Sequence, residues 1–260
     1  MGITFAVRGD SLTPRYNAGS PSYGLSGTSN PASIADAGAI GGYTLDLGVA
    51  ATLTGHRVHY LGYDNVPNTQ GFTCLMRFYL YDNTQTCALW SFASNGRAGN
   101  YGFAGFEVKY DATNITVSMG DENSLSGISA ATFAHGGLSN ATYYDLVVQF
   151  TGDTTADGCE VFLDGSSLGT ATSTRSWSNP RAKIYQGLGL GYINNGANTY
   201  IRVNEFVMWE GVSIDPTSVT LTTGSGSLNG ASRTAYVDVA SYDALAVSSS
   251  RARGFGEFGQ

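Results

Sequence analysis

The stretch Tyr143-Tyr144-Asp145-Leu146-Val147-Val148-Gln149-Phe150 and its partner Cys159-Glu160-Val161-Phe162-Leu163-Asp164-Gly165 decide the fold class. Both runs are short and rich in β-branched and aromatic residues, which fit a pleated, half-buried surface. Between them lies Thr151-Gly152-Asp153-Thr154-Thr155-Ala156-Asp157-Gly158, dense in turn-forming residues. Asp164-Gly165 closes the pair with the dipeptide of a short hairpin.

The same texture extends on either side. Phe72 to Leu80 and Cys87 to Phe92 flank the polar Tyr81-Asp82-Asn83-Thr84-Gln85-Thr86, which reads as a hairpin. Gly102 to Tyr110 and Asn114 to Met119 form a second pair around Asp111-Ala112-Thr113. Further strands are expected at Ile184 to Tyr192 and Tyr200 to Trp209. No segment keeps a helical period over three turns, so a parallel βαβ architecture is excluded. The expectation is an all-β protein, an antiparallel jelly-roll β-sandwich.

Composition agrees. Gly makes up 35 of 260 residues, about twice its average usage, and charged residues are 13%. A hydrophobic share of 42% is enough to build a core. The net charge is -7 with two lysines, Lys109 and Lys183, and nothing forms a basic stripe. Nucleic-acid binding driven by phosphate contacts is therefore excluded. No apolar run approaches the roughly 20 residues that span a bilayer. The opening Met1-Gly2-Ile3-Thr4-Phe5-Ala6-Val7-Arg8 lacks the pattern of a signal peptide, so synthesis in a cytoplasm is expected.

Three regions differ in texture. Residues 1–34 read as an N-terminal arm with one strand and an extended course. Residues 35–214 carry the sandwich. Residues 215–260 read as a C-terminal extension, with a linker at Thr223-Gly224-Ser225-Gly226-Ser227 and a further strand near Ala235-Tyr236-Val237-Asp238-Val239.

The order of elements in residues 35–214 resembles the laminin-G/concanavalin A-like lectin superfamily. The run Tyr144 to Phe150, the turn, and Glu160 to Gly169 is similar to that family's central hairpin. Phe72 to Phe78 with Leu89-Trp90-Ser91-Phe92 is similar to its earlier pair, and Tyr200 to Trp209 to its closing strand. The Gly/Ser-rich ends resemble those of bacteriophage virion proteins, such as capsid decoration, fibre or tail components. These resemblances imply a virion protein held by its arms to other virion proteins and to further copies of itself. Cell-surface glycan is the alternative partner.

Catalytic chemistry finds little footing in the residues. Glycan hydrolases of this fold need two carboxylates on one strand face. Glu205 and Glu210 are five apart and face opposite sides of a regular strand, while Asp121, Glu122 and Asn123 cluster in an expected turn. The three histidines, His56, His59 and His135, accompany no nucleophile elbow and read as surface or turn residues. Cys74, Cys87 and Cys159 lack metal-site spacing. Cys74 shares a strand face with Phe72, Met76, Phe78 and Leu80, which suits a buried thiol. The chain is accordingly expected to be non-enzymatic and without a cofactor.

A sugar site needs an aromatic plate and amide or carboxylate groups. Trp177, Tyr192, Asn194 and Asn195 are the glycan-binding candidates. Asp153 and Asp157 in one turn are the calcium candidates, although turns favour Asp for backbone reasons alone. Trp90 and Trp209 lie inside strands and are assigned to a core or interface. Arg8-Gly9-Asp10 spells a recognition tripeptide but reads as a turn beside the arm strand. Asn114-Ile115-Thr116 and Asn140-Ala141-Thr142 match glycosylation sequons, which mean little without a secretory signal.

Overall fold

The computed structural model describes residues 3–16, 31–50, 58–60, 72–93, 105–121, 124–150, 158–171, 188–191, 199–210, 220–222, 225–228 and 231–233. Among them the chain opens with β1 (Ile3–Arg8), β2 (Ser11–Tyr16), β3 (Ala32–Ala35), β4 (Tyr43–Ala50), β5 (Val58–Tyr60) and β6 (Phe72–Leu80). It continues through β7 (Cys87–Ala93), β8 (Gly105–Tyr110), β9 (Asn114–Asp121), β10 (Ser124–Ala134), β11 (Thr142–Phe150) and β12 (Cys159–Leu163). The last strands are β13 (Ser166–Ala171), β14 (Leu188–Leu190), β15 (Thr199–Glu210), β16 (Thr220–Thr222), β17 (Ser225–Leu228) and β18 (Ala231–Arg233).

Two antiparallel sheets make the sandwich. A 9-stranded sheet runs β13-β12-β11-β6-β15-β1-β2, with β4 also on β15 and β3 on β4. A 6-stranded sheet runs β10-β9-β8-β7-β14-β5. Inward side chains of both sheets fuse into one core. Phe72, Cys74, Met76, Phe78 and Leu80 of β6 meet Leu89 and Trp90 of β7, Val108 of β8 and Val117 of β9. Trp90 is 1% exposed and lies edge-on to Phe72 and Phe206, with ring centroids 6.4 Å and 5.6 Å apart. Edge-to-face geometry suits the ring quadrupoles and adds to the area they bury.

The hairpin that opened the sequence reading forms as expected. Leu146 pairs with Leu163 and Phe150 with Cys159. Asp164 and Gly165 have φ of 49° and 80°, the left-handed pair that a tight hairpin turn requires. The β8–β9 hairpin also forms, with Tyr110 opposite Ile115. There the Asp111 carboxylate accepts from the N–H groups of Thr113 and Asn114 at 2.8 Å each.

The pairing expected between β6 and β7 does not form. The two strands lie in opposite sheets, and Cys87 pairs with Tyr110. The connection crosses the end of the sandwich instead of folding back in one plane. Its polar residues bind other loops. Asn83 N–H donates to Asn140 Oδ1 at 2.6 Å, Asn83 Nδ2 to Leu138 O at 2.7 Å, and Tyr110 OH to Asn83 O at 2.5 Å. Turn chemistry marks a change of direction, but only packing decides whether the chain stays in its sheet.

The N-terminal residues are woven in more deeply than an arm with one strand. Strand β15 divides its outer edge between two partners, β4 beside Thr199 to Val203 and β1 beside Glu205 to Trp209. A β-bulge separates the halves, between Val203 and Glu205. It reverses strand parity, so Val203 and then Phe206 and Met208 face the core. At this seam Gly9 N–H donates to Asn204 O at 2.7 Å. A Cβ on Gly9 would lie 2.2 Å from the Tyr43 carbonyl oxygen, so only glycine lets the β1–β2 turn approach β4.

In the C-terminal extension, Ser225 to Ser227 of the expected linker belong to β17, within a 3-stranded sheet β16-β17-β18. Strand β16 lies against β11. Residues 235–239 fall outside the described residues.

Candidate functional site

The outer face of the large sheet, turned away from the core, carries the polar chemistry. Strand register lines its residues up in rows across β11, β6 and β15. Val147, Leu75 and Val207 make one row. Asp145, Arg77 and Glu205 make the next. The third joins Tyr143, Tyr79 and Arg202 and continues on β4 with Asp46. Side chains aligned this way on one face interact directly across the strands.

The Asp145–Arg77–Glu205 row is wholly buried, each residue at most 1% exposed. Arg77 Nη1 donates to Asp145 Oδ2 at 3.1 Å. The Asp164 turn locks on, its N–H donating to Asp145 O and its Oδ1 accepting from Asp145 N–H, both at 2.8 Å. Burial raises the Asp164 carboxyl above its usual range, partly offset by that N–H and by the Arg77 charge. A buried ion pair is costly to desolvate, so this row favours one arrangement more than it adds stability.

The third row is half-open. Tyr79, Tyr81, Asp46, Asp36 and Arg202 are partly exposed, while Tyr143 is buried. Arg202 lies over two rings, 4.7 Å from the centroid of Tyr79 and 4.8 Å from that of Tyr81. Tyr79 meets Tyr81 and Tyr143 edge-on at 5.4 Å and 5.2 Å. Arg202 Nε donates to Tyr81 OH at 2.5 Å, and Tyr81 OH donates to Asp46 Oδ1 at 2.8 Å. Arg202 Nη1 and Tyr143 OH both donate to Asp36 Oδ2 at 2.8 Å.

Asp36 comes from far away in sequence, and the bulged Asn204 brings it in. Asn204 Oδ1 accepts from Ile40 N–H at 3.1 Å, and Nδ2 donates to Ile40 O and Tyr43 O at 3.0 Å and 2.7 Å. The turn between β3 and β4 is thereby pinned to the sheet. Burial raises the Asp36 carboxyl, but hydrogen bonds from Tyr143, Gly38 N–H and Arg202, together with the Arg202 charge, leave it below its ordinary range. Burial also lifts the Tyr81 hydroxyl to about 12, with Asp46 adding to the rise and Arg202 opposing it. Near neutrality Asp36 is therefore a carboxylate paired with the Arg202 guanidinium, and the Tyr81 phenol is neutral. Such a set donates and accepts hydrogen bonds beside aromatic faces.

The expected glycan residues Trp177, Tyr192, Asn194 and Asn195 lie outside the described residues, as do the calcium candidates Asp153 and Asp157. Gly191 and Thr199, which bracket residues 192–198, both belong to the described framework. Thr199 directly precedes Tyr200, whose carbonyl accepts from Tyr81 N–H at 2.9 Å. Among the described residues, no group of three His, Cys, Asp or Glu side chains is arranged to hold a metal.

Several other sequence candidates among the described residues have structural explanations, whereas His56, Glu122 and Asn123 lie outside the described residues. His135 stacks on Tyr110 at 5.4 Å; Gly137 N–H donates to Nδ1 at 3.1 Å, and Nε2 donates to Asp111 O at 3.0 Å. Those two partners give Nδ1 the accepting role and Nε2 the donating one. Cys74, Cys87 and Cys159 are free and buried. Burial raises all three thiols, with Cys87 and Cys159 pushed up to about 12. Arg8–Gly9–Asp10 sits at the tight β1–β2 hairpin. Arg8 Nε and Nη2 donate to the Asp10 carboxylate at 3.2 Å and 3.0 Å, and Gly9 is buried. Asn140 of the second sequon spends its Oδ1 on Asn83 N–H.

No protein family matches the chain by sequence, and no curated protein does. Solved structures do resemble it. The binding domain of botulinum neurotoxin serotype G aligns with a TM-score of 0.52 at 11% identity, over 82% of this chain and 49% of that one. A structure describing cell entry of botulinum neurotoxin type C through two ganglioside molecules aligns with a TM-score of 0.51 at 7% identity, over 96% and 51%. A Ruminococcus gnavus sialidase CBM40 domain bound to α2,3-sialyllactose aligns with a TM-score of 0.47 at 10% identity, over 65% and 91%. The chain thus spans about half the length of the toxin domains it matches. The fold is an antiparallel, lectin-like β-sandwich.

Proposed function

We propose that the chain is a non-catalytic glycan-binding module whose site is the half-open row on the outer face of the large sheet. One observation carries this reading. Tyr79 and Tyr81 pack side by side against Arg202, next to Asp46, and among the described residues nothing bonds to Asp46 Oδ2. Sugars are bound by aromatic planes against C–H faces and by a few fixed donors and acceptors around the hydroxyls. Asp46 supplies an acceptor and Arg202 Nη2 a donor, and the tyrosines supply the apolar surface. The fold itself, apart from this row, is compatible with glycolipid recognition, since cell entry of the type C toxin depends on two ganglioside molecules.

Anchoring in a virion, expected from the sequence of the ends, finds no counterpart in these domains. Strand β1 is moreover committed to β15 and β2. The glycan reading is the stronger for that reason.

A glycan microarray probed with the full chain tests it, with Tyr79→Ala and Asp46→Ala as paired variants. Each variant is expected to weaken sugar binding about tenfold or more, a loss of about 1.4 kcal/mol, while the thermal transition stays cooperative. Undiminished binding by both folded variants would move the site elsewhere. Absence of binding to every sugar would refute the function.

A further inference from the structure

We infer that this site selects neutral glycans and rejects carboxylated or sulfated ones, an inference that rests on the glycan-binding reading above. An arginine in a sugar site suggests an acidic ligand, because the guanidinium fork matches a carboxylate with two parallel hydrogen bonds. Here the fork is engaged. Nε donates to Tyr81 OH at 2.5 Å and Nη1 to Asp36 Oδ2 at 2.8 Å. The single N–H of Nε is spent, Nη1 already serves Asp36, and Nη2 is the nitrogen with no bond among the described residues. Tyr79 and Tyr81 pack against the same group from one side, their centroids 5.4 Å apart. To be held bidentately, an acidic sugar would have to displace Tyr81 from Nε or share Nη1 with the Asp36 carboxylate.

The charge balance points the same way. Asp36 and Asp46 together outweigh Arg202, and Asp36 is held ionised by its hydrogen bonds. Arg77, the next cation on this face, lies 5.1 Å from the Tyr143 ring, but it is fully buried against Asp145. The chain as a whole carries -7, which disfavours approach of any anion. What remains available is an acceptor at Asp46 Oδ2 and a donor at Arg202 Nη2. Those groups suit neighbouring sugar hydroxyls, which donate to one and accept from the other.

The test compares lactose, maltotriose and mannotriose with 3′-sialyllactose and 3′-sulfated lactose, presented side by side to the unaltered full chain. At least one neutral sugar is expected to bind, with both acidic ones at least about tenfold weaker. The Asp36→Asn variant removes a negative charge and leaves Nη1 a weaker, neutral acceptor, so it is expected to narrow that gap. Equal or tighter binding of an acidic sugar by the unaltered chain would overturn the inference and leave the glycan function standing. Failure of every sugar would overturn both. The decisive comparison uses the unaltered chain, so it holds even where the variant folds poorly.

Discussion

The two faces of β6, β11 and β15 are both buried over most of their length, yet they are built on opposite principles. The inner face is apolar from end to end, with Phe72, Met76, Leu146, Phe150, Phe206 and Met208 all fully or nearly fully buried. The outer face changes along its length, from Leu75 and Val147 through the Arg77 charge row to the half-open tyrosines and Arg202. Shape and area hold the inner face together. Directed hydrogen bonds hold the outer one, and at its open end they leave groups unspent. A face made of directed bonds can carry recognition, whereas an apolar face largely cannot.

The largest effect is expected on the inner side. Trp90→Ala would open a cavity between the sheets and cost about 4 kcal/mol, read from chemical denaturation. Arg77→Met should cost about 3 kcal/mol, because it removes the guanidinium paired with the buried Asp145 carboxylate. The double variant Arg77→Met with Asp145→Leu should regain part of that loss. A double variant no more stable than Arg77→Met alone would show that the charge row stabilises the fold outright, blurring the contrast between the faces.

Asn204→Ala should cost about 2 kcal/mol by leaving the Ile40 and Tyr43 backbone groups without their amide. It should also weaken any sugar bound beside Arg202, since Asp36 depends on that turn.

The Asp36 carboxyl gives a smaller, pH-dependent contribution. Its folded pKa lies below the ordinary value of 3.8, so its stabilisation is complete above that value and is lost as pH falls through the folded one. Denaturation midpoints followed from about pH 6 to pH 2 should therefore fall less steeply for Asp36→Asn than for the unaltered chain. Parallel curves would show that Asp36 contributes nothing. Smallest of all, Asp10→Ala should change stability by less than about 0.5 kcal/mol, because its pair with Arg8 is partly exposed.

Much of the fold could be read along the chain. Asp164-Gly165 and Asp111-Ala112-Thr113 are local devices, and both hairpins formed where their residues called for them. The β6–β7 pairing failed because Tyr81 to Thr86 specify a turn but not the sheet entered after it. The alternation along β6 was muted for a related reason. Thr73, Leu75 and Arg77 are as buried as the core residues beside them, so the sequence lacks the polar side that marks a half-exposed strand.

The site was much harder to see. Strand parity places Arg77 with Tyr79 on one face, but nothing local links Tyr79 to Arg202 or Asp46. Asp36 and Arg202 are 166 residues apart, and their bond depends on a bulge at Asn204 that no short motif announces.

The sequence by itself determined that the chain would form antiparallel strands, where its tight turns fall, and that its cysteines suit burial. These follow from backbone geometry and from the period of apolar residues, which act over a few positions. Tertiary structure alone decided which sheet each strand joined, which face of β6 would carry charge, and where Tyr79, Arg202, Asp46 and Asp36 meet. Those outcomes depend on register between distant strands, because a side chain's neighbours across a sheet are set by hydrogen-bond pairing and not by order along the chain.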